Sequence, residues 1–233
     1  MRDGQGSLPP GTQRGRLAGD WADQEHPDGE RAGLAPAGAG GSAASEEAAR
    51  AVCLRLLSHG PRTRAQLAGA LRRRGVPDDV AESVLGRFAE VGLIDDAVFA
   101  RAWVESRHHS RGLARGLLAA ELQQRGVDAA DVRAAVAVLA PDEEIQTARR
   151  LVAKRAAATR GRPLPGRVRQ LVGLLARKGY SVGLAYRVVR EALEQEGVDP
   201  TAAGLDLASI EDLDTVEAVD PSAPGSGYTI GPA

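Results

Sequence analysis

Leu67-Ala68-Gly69-Ala70-Leu71-Arg72-Arg73-Arg74-Gly75, Leu118-Ala119-Ala120-Glu121-Leu122-Gln123-Gln124-Arg125-Gly126 and Leu171-Val172-Gly173-Leu174-Leu175-Ala176-Arg177-Lys178-Gly179 are one pattern written three times. In each, Leu recurs at i and i+4, a basic residue closes the run, and Gly follows. That is the signature of a helix C-terminus: Gly takes the left-handed cap, and the cation opposes the partial negative charge of the last carbonyls. The closing glycines lie 51 and then 53 residues apart. Beyond them, at offsets of 6, 9, 10 and 13, come Ala81, Val84, Leu85 and Phe88, then Val132, Ala135, Val136 and Leu139, then Ala185, Val188, Val189 and Ala192. Spacings of 3, 4 and 7 place each quartet on one face of a second helix.

Pro77, Asp128 and Ser181 stand two residues past the glycines, where a helix start tolerates proline or needs a capping oxygen. A further helix precedes each pair, over about 45–58, 96–109 and 142–157, with Asp95 as the N-cap of the middle one. The expectation is an all-α protein of three tandem three-helix repeats over 45–94, 95–140 and 141–197. One such unit is too small to bury a good core alone, so the units should stack into an elongated rod that can curve.

Composition agrees with helices. Aromatics make up only 3 % of the 233 residues, and no β-branched run alternates with polar residues at strand length. Arg outnumbers Lys by 28 to 2 and Asn is absent, which reads as codon bias before function. Cys53 is alone, so no internal disulfide forms, and its apolar setting marks it as a core side chain. No apolar leader and no run of about 18 apolar residues occurs. A soluble, cytoplasmic monomer is expected.

The net charge of −1 conceals a sorted distribution. Residues 1–44 are Gly- and Pro-rich with a charge of −2. Residues 45–197 carry +8, and residues 198–233 carry −7 with no Lys or Arg. Both ends lack the apolar area that offsets ordering entropy, so disordered tails are expected at 1–44 and 198–233. Within 206–220 a short acidic helix could form against a basic surface.

Residues Gly92-Leu93-Ile94-Asp95-Asp96, Phe99-Ala100, Trp103-Val104, Arg107, Gly112, Glu121-Leu122 and Gly126 resemble the signature of the RecX family of bacterial regulatory proteins. The resemblance covers roughly 45–197. It implies a protein without catalytic turnover or cofactor, which binds the RecA recombinase and its nucleoprotein filament. It further implies hindered filament growth and lowered strand exchange, ATP hydrolysis and co-protease activity. Weak, non-specific contact with DNA is also implied.

From Arg149 to Arg190 there are twelve Lys and Arg and no Asp or Glu. A solvated helical surface ordinarily mixes signs for pairing at i and i+4. Candidate contacts to RecA or to phosphate are therefore Arg149, Arg150, Lys154, Arg160, Arg162, Arg167, Arg169, Arg177 and Lys178. Arg107, Arg111 and Arg115, spaced by four, join them. The competing readings are pairs inside the fold, such as Arg187 with Glu191 and Arg190 with Glu194, and the acidic tail folding back.

Phe99 and Trp103 read as core, with Val98 and Ala102 completing their face. Asp95 and Asp96 read as capping residues. Gly161-Arg162-Pro163-Leu164-Pro165-Gly166-Arg167-Val168 has P-loop glycine spacing but offers Arg167 and Val168 for the lysine and hydroxyl, and reads as a loop between helices. No His set has metal spacing, and no serine sits in a nucleophile elbow. The rival function is a helix-turn-helix transcriptional regulator, with Thr63 to Ala68 leading into a reading helix at 77–91. A base-stacking single-strand binder would have to use Tyr180 and Tyr186, too few for that mechanism.

Overall fold

The computed structural model describes residues 42–199. Most of both expected disordered tails therefore lies outside the described residues. Among the described residues nine α-helices follow one another: α1 (Ser42–His59), α2 (Arg64–Arg73), α3 (Asp78–Glu90), α4 (Asp96–Arg111), α5 (Arg115–Gln124), α6 (Ala129–Ala137), α7 (Pro141–Ala156), α8 (Leu164–Ala176) and α9 (Val182–Gln195), with a 3-10 turn at Ala157–Thr159. No strand occurs among the described residues. α1 begins inside the segment assigned to the N-terminal tail. The helices pack in threes: α1 with α2 and α3, α4 with α5 and α6, α7 with α8 and α9.

The chain divides into two compact units, 1–140 and 141–233. In the first, Leu67, Leu71, Val84, Leu85 and Phe88 form one core with Cys53, and Trp103, Leu118, Leu122, Val132 and Leu139 form another. In the second, Leu171, Leu175, Val188, Val189 and Leu193 are buried. The three quartets are thus inward-facing, with Val136 and Ala192 half-buried. Burial pushes the Cys53 thiol up to about 11, so it stays protonated and unreactive at neutral pH.

The repeated glycine does the same work each time. The N–H groups of Val76, Val127 and Tyr180 donate to the carbonyls of Leu71, Leu122 and Leu175, each at 3.2 Å. Both the leucine and the residue after the glycine are buried in every case. That closes the helix with a Schellman turn and staples its last turn to the core by an apolar contact.

Within the first unit, the start of α2 meets both neighbours from the second helix triplet. Thr63 caps α2, accepting from the Gln66 N–H at 3.1 Å while Gln66 Oε1 accepts from the Thr63 N–H at 3.1 Å. The same Thr63 hydroxyl donates to the Arg125 carbonyl at the end of α5, at 2.7 Å. The next N–H, of Arg64, donates to Asp96 Oδ1 at 2.9 Å. Asp95 caps its own helix, accepting from the Val98 N–H at 2.8 Å. The adjacent aspartates therefore divide the labour: one starts α4 and the other holds α2.

Gly126 completes this joint. It lies at φ +76°, and an added Cβ would collide with the Cβ of Ala65. The backbone conformation and the close approach both require glycine.

Two results are expected. G126A should destabilise the first unit by more than about 1 kcal/mol, the usual penalty for alanine at a left-handed position. A65G, destabilising alone, should restore part of the loss in that background, and paired thermal melts would read this coupling. Burial raises the Asp96 carboxyl above its usual range, and Asp131 and Asp95 add to the rise. A raised carboxyl binds its proton more tightly in the folded chain, so stability falls as pH rises through that value. D96N keeps an acceptor for Arg64 without the charge. It should match or exceed the parent in stability at pH 7, with the difference disappearing on acidification.

Candidate functional site

The cations of the described residues are of two kinds. The first kind is internal. Trp103, on the inward face of α4, stacks on Phe99 with ring centroids 5.7 Å apart. Its indole N–H donates to Glu121 Oε2 at 2.8 Å. The guanidinium of Arg107 lies 4.2 Å from the indole centroid and that of Arg125 lies 3.8 Å from it. A desolvated guanidinium over indole contributes about 2 kcal/mol, and Arg125 is also the residue whose carbonyl receives the Thr63 hydroxyl.

Arg107 is only 2 % exposed. The expectation that it contacts RecA or phosphate is corrected: it belongs to the core of the first unit. Val98, expected to extend the Phe99 and Trp103 face, is 51 % exposed and does not. Arg111 ends α4, Gly112 turns the chain at φ 63°, and Arg115 opens α5. The spacing of four thus crosses a helix break and does not make one stripe. Arg111 is exposed and Arg115 half-buried.

Arg167 is the second internal cation, at 4 % exposure. Its Nε donates to Thr159 Oγ1 at 3.0 Å, and its Nη2 to Glu196 Oε2 at 2.5 Å and the Ala156 carbonyl at 3.4 Å. It locks the 3-10 turn to α8 and α9. Its place among partner-binding candidates is likewise corrected. The segment 161–168, read as a loop, in fact enters helix at Leu164, because Pro163 and Pro165 occupy positions that need no intrahelical donor. The side chain that a P-loop reading would aim at phosphate is aimed at Thr159 instead.

Carboxylates at the end of α9 reach other cations. Arg149 pairs with Glu191 at 2.9 Å, Arg160 with Glu196 at 3.4 Å and Arg190 with Glu194 at 3.7 Å. The expected Arg190 pair forms, whereas Glu191 engages Arg149 on α7 rather than Arg187. Arg150 donates to Thr147 Oγ1 at 2.9 Å, and Lys178 is half-buried. Lys154, Arg155, Arg162, Arg169, Arg177 and Arg187 are exposed and have no carboxylate partner among the described residues. These are the second kind. Tyr180 is buried beside Glu144, and desolvation holds its hydroxyl well above the ordinary range, so it offers no platform for a base.

Sequence reasoning missed one feature of the first unit. Arg62, Gln66 and Arg73 on and before α2, with Gln124 and Arg125 at the end of α5, line an open cleft of about 350 Å³, and no carboxylate is among its lining residues. The run Arg72-Arg73-Arg74 was the available signal. The lining of this cleft is therefore basic and polar.

The rival DNA reader fares poorly. α3 would enter the groove, yet it exposes Asp78, Asp79, Glu82 and Glu90 against a single Arg87. Phosphates flanking the groove would repel that face. The chain also goes from Ile94 directly into α4 without a strand pair. Among the described residues no group of His, Cys, Asp and Glu could hold a metal ion, and no helix is long and apolar enough to cross a membrane.

Helices in threes, with the middle helix of each triplet closed by the same glycine turn, define a tandem three-helix-repeat protein. Comparison with known proteins gives the particular family. Residues 49–88 match the first three-helix domain of RecX, and residues 95–136 match the second. The regulatory protein RecX of Thermobifida fusca is 66 % identical over 163 residues, covering 69 % of this chain and 88 % of that protein. That of Streptomyces lividans is 60 % identical over 158 residues, covering 68 % and 84 %. The chain belongs to the RecX family. A crystal structure of RecX from Lactobacillus salivarius shares the fold at TM-score 0.59 and 18 % identity, over 64 % of this chain and 97 % of that one.

R167A should destabilise the second unit by about 1–3 kcal/mol, because it takes the donor away from the buried Thr159 hydroxyl and one donor from the Ala156 carbonyl, seen as faster amide exchange across α8 and α9. The Arg167 guanidinium also holds the Glu196 carboxyl below its usual range. A lowered carboxyl stabilises the fold above its unfolded value, and that contribution is lost as pH falls through the lowered one. E196Q should therefore flatten the acid limb of the melting temperature against pH.

Proposed function

We propose that this protein regulates RecA by binding the recombinase and its nucleoprotein filament, without catalytic turnover. Binding hinders filament extension and so lowers strand exchange, ATP hydrolysis and co-protease activity. Family membership supports a regulatory role. The observation that carries the mode of action is the set of six exposed cations between Lys154 and Arg187 that have no carboxylate partner among the described residues. Unopposed cations repel one another unless an anionic surface lies against them.

A protein–DNA filament supplies such a surface repeatedly. Modules built to one plan, over 45–94, 95–140 and 141–197, suit a target that itself repeats. Arg and Lys reach phosphates as charges, without reading base edges, so any DNA contact is unselective and salt-sensitive. Such a protein works as a cytoplasmic monomer. The acidic outer face of α3 leaves no specific observation in favour of the helix-turn-helix rival.

RecA ATPase on single-stranded DNA tests the reading. Hydrolysis should fall when the protein is present in stoichiometric amount, and the inhibition should weaken as salt rises. K154E, R162E and R169E combined should shift the half-inhibitory concentration upward by roughly tenfold or more, since each lost phosphate contact removes about one unit from the salt slope. Unchanged hydrolysis at excess protein would remove the proposal.

A further inference from the structure

The acidic residues of the second unit are not scattered. Within 141–199 they stand in the first turn of α7, as Asp142, Glu143 and Glu144, and from Glu191 to Asp199 at the end of α9. The latter group already crosses to neighbouring cations: Glu191 reaches Arg149 on α7, and Glu196 reaches both Arg160 and Arg167. Residues 200–233 continue directly from this group with Asp206, Glu211, Asp212, Asp214, Glu217 and Asp220, and with no Lys or Arg. Six carboxylates thus follow, in sequence, a module in which six exposed cations have no carboxylate partner among the described residues.

We propose that residues 200–233 lie across the cations of the second unit and compete there with any polyanion. The proposal rests on the polyanion-binding reading above and names its regulator as a segment of the same chain. Reach is sufficient. Asp206 is ten residues beyond Glu196, a span of up to about 35 Å when extended, and Glu196 is itself in contact with Arg160, two residues from Arg162. Tethering raises the local concentration of the carboxylates to the order of millimolar. A weak, purely electrostatic contact is then populated. Weak competitors lose to a dense anion: duplex DNA carries one charge per about 1.7 Å of axis. The tail would therefore suppress binding to sparse or isolated anions and yield to a filament.

The test uses the full chain and a full-length variant with D206N, E211Q, D212N, D214N, E217Q and D220N. Two measurements are made. First, a fluorescent peptide of residues 200–233 is titrated into the neutralised variant at low and at moderate salt, with no DNA or RecA present. Saturable binding that salt abolishes, and that K154E/R162E/R169E weakens, is expected. Second, a labelled oligothymidylate is titrated into both proteins. The neutralised variant should bind roughly tenfold more tightly at moderate salt, and the added peptide should reverse the gain. Absence of peptide binding up to millimolar concentration overturns the tail contact while leaving RecA regulation standing. Peptide binding together with equal oligothymidylate affinity in the two proteins overturns the competition.

Discussion

The hydroxyl of Thr63 sits where the first two helix triplets meet, and much of the first unit is organised around it. It accepts from its own helix and donates to the carbonyl that ends α5. A buried hydroxyl has few ways to satisfy both roles, and here both partners are backbone groups that helix ends leave open. The Arg64 N–H and Asp96 carboxylate add a second such bond, and the missing side chain of Gly126 lets the backbones approach closely enough for both. Helix termini that would otherwise need water thus become the joint between triplets. The Gly-Leu-Ile-Asp-Asp turn has the same logic: a Schellman turn ends α3, Ile94 is buried, and two aspartates serve two different helices.

The second consequence is a division among the arginines. A guanidinium is weakly hydrated, planar and permanently charged, so it can be buried against indole or within a polar cage. Arg107 does the first against Trp103, with the half-buried Arg125 on the same ring, and Arg167 does the second with Thr159 and Glu196. Those residues hold the modules in shape. The cations left on the surface of the second unit have no such occupation, and the account of function rests on them. Charge alone does not separate the two groups. Burial does.

The helices, their order and their caps were legible in the sequence because helical periodicity and glycine stop signals are local. Asp95, Asp128 and Ser181 cap as their positions require. What was not legible is non-local. Nothing in the spacing of Arg107, Arg111 and Arg115 reveals that the first folds under Trp103 while a left-handed Gly112 separates the second, at the end of α4, from the third, at the start of α5. Arg167 looked like a surface cation because its partners, Thr159 and Glu196, lie eight residues before it and 29 after. Glu191 lies four residues from Arg187, yet it crosses to α7 instead. The basic cleft between α2 and α5 was invisible for the same reason: it exists only once two triplets are joined.

Amide hydrogen exchange of this protein with and without RecA filaments tests the central claim most directly, because it locates contact without altering any residue. Slowed exchange in peptides spanning Lys154 to Lys178, with the acidic outer face of α3 unaffected, is the predicted footprint. Protection concentrated on α3, with the second unit exchanging as it does alone, would contradict the assignment of the exposed cations as the working surface.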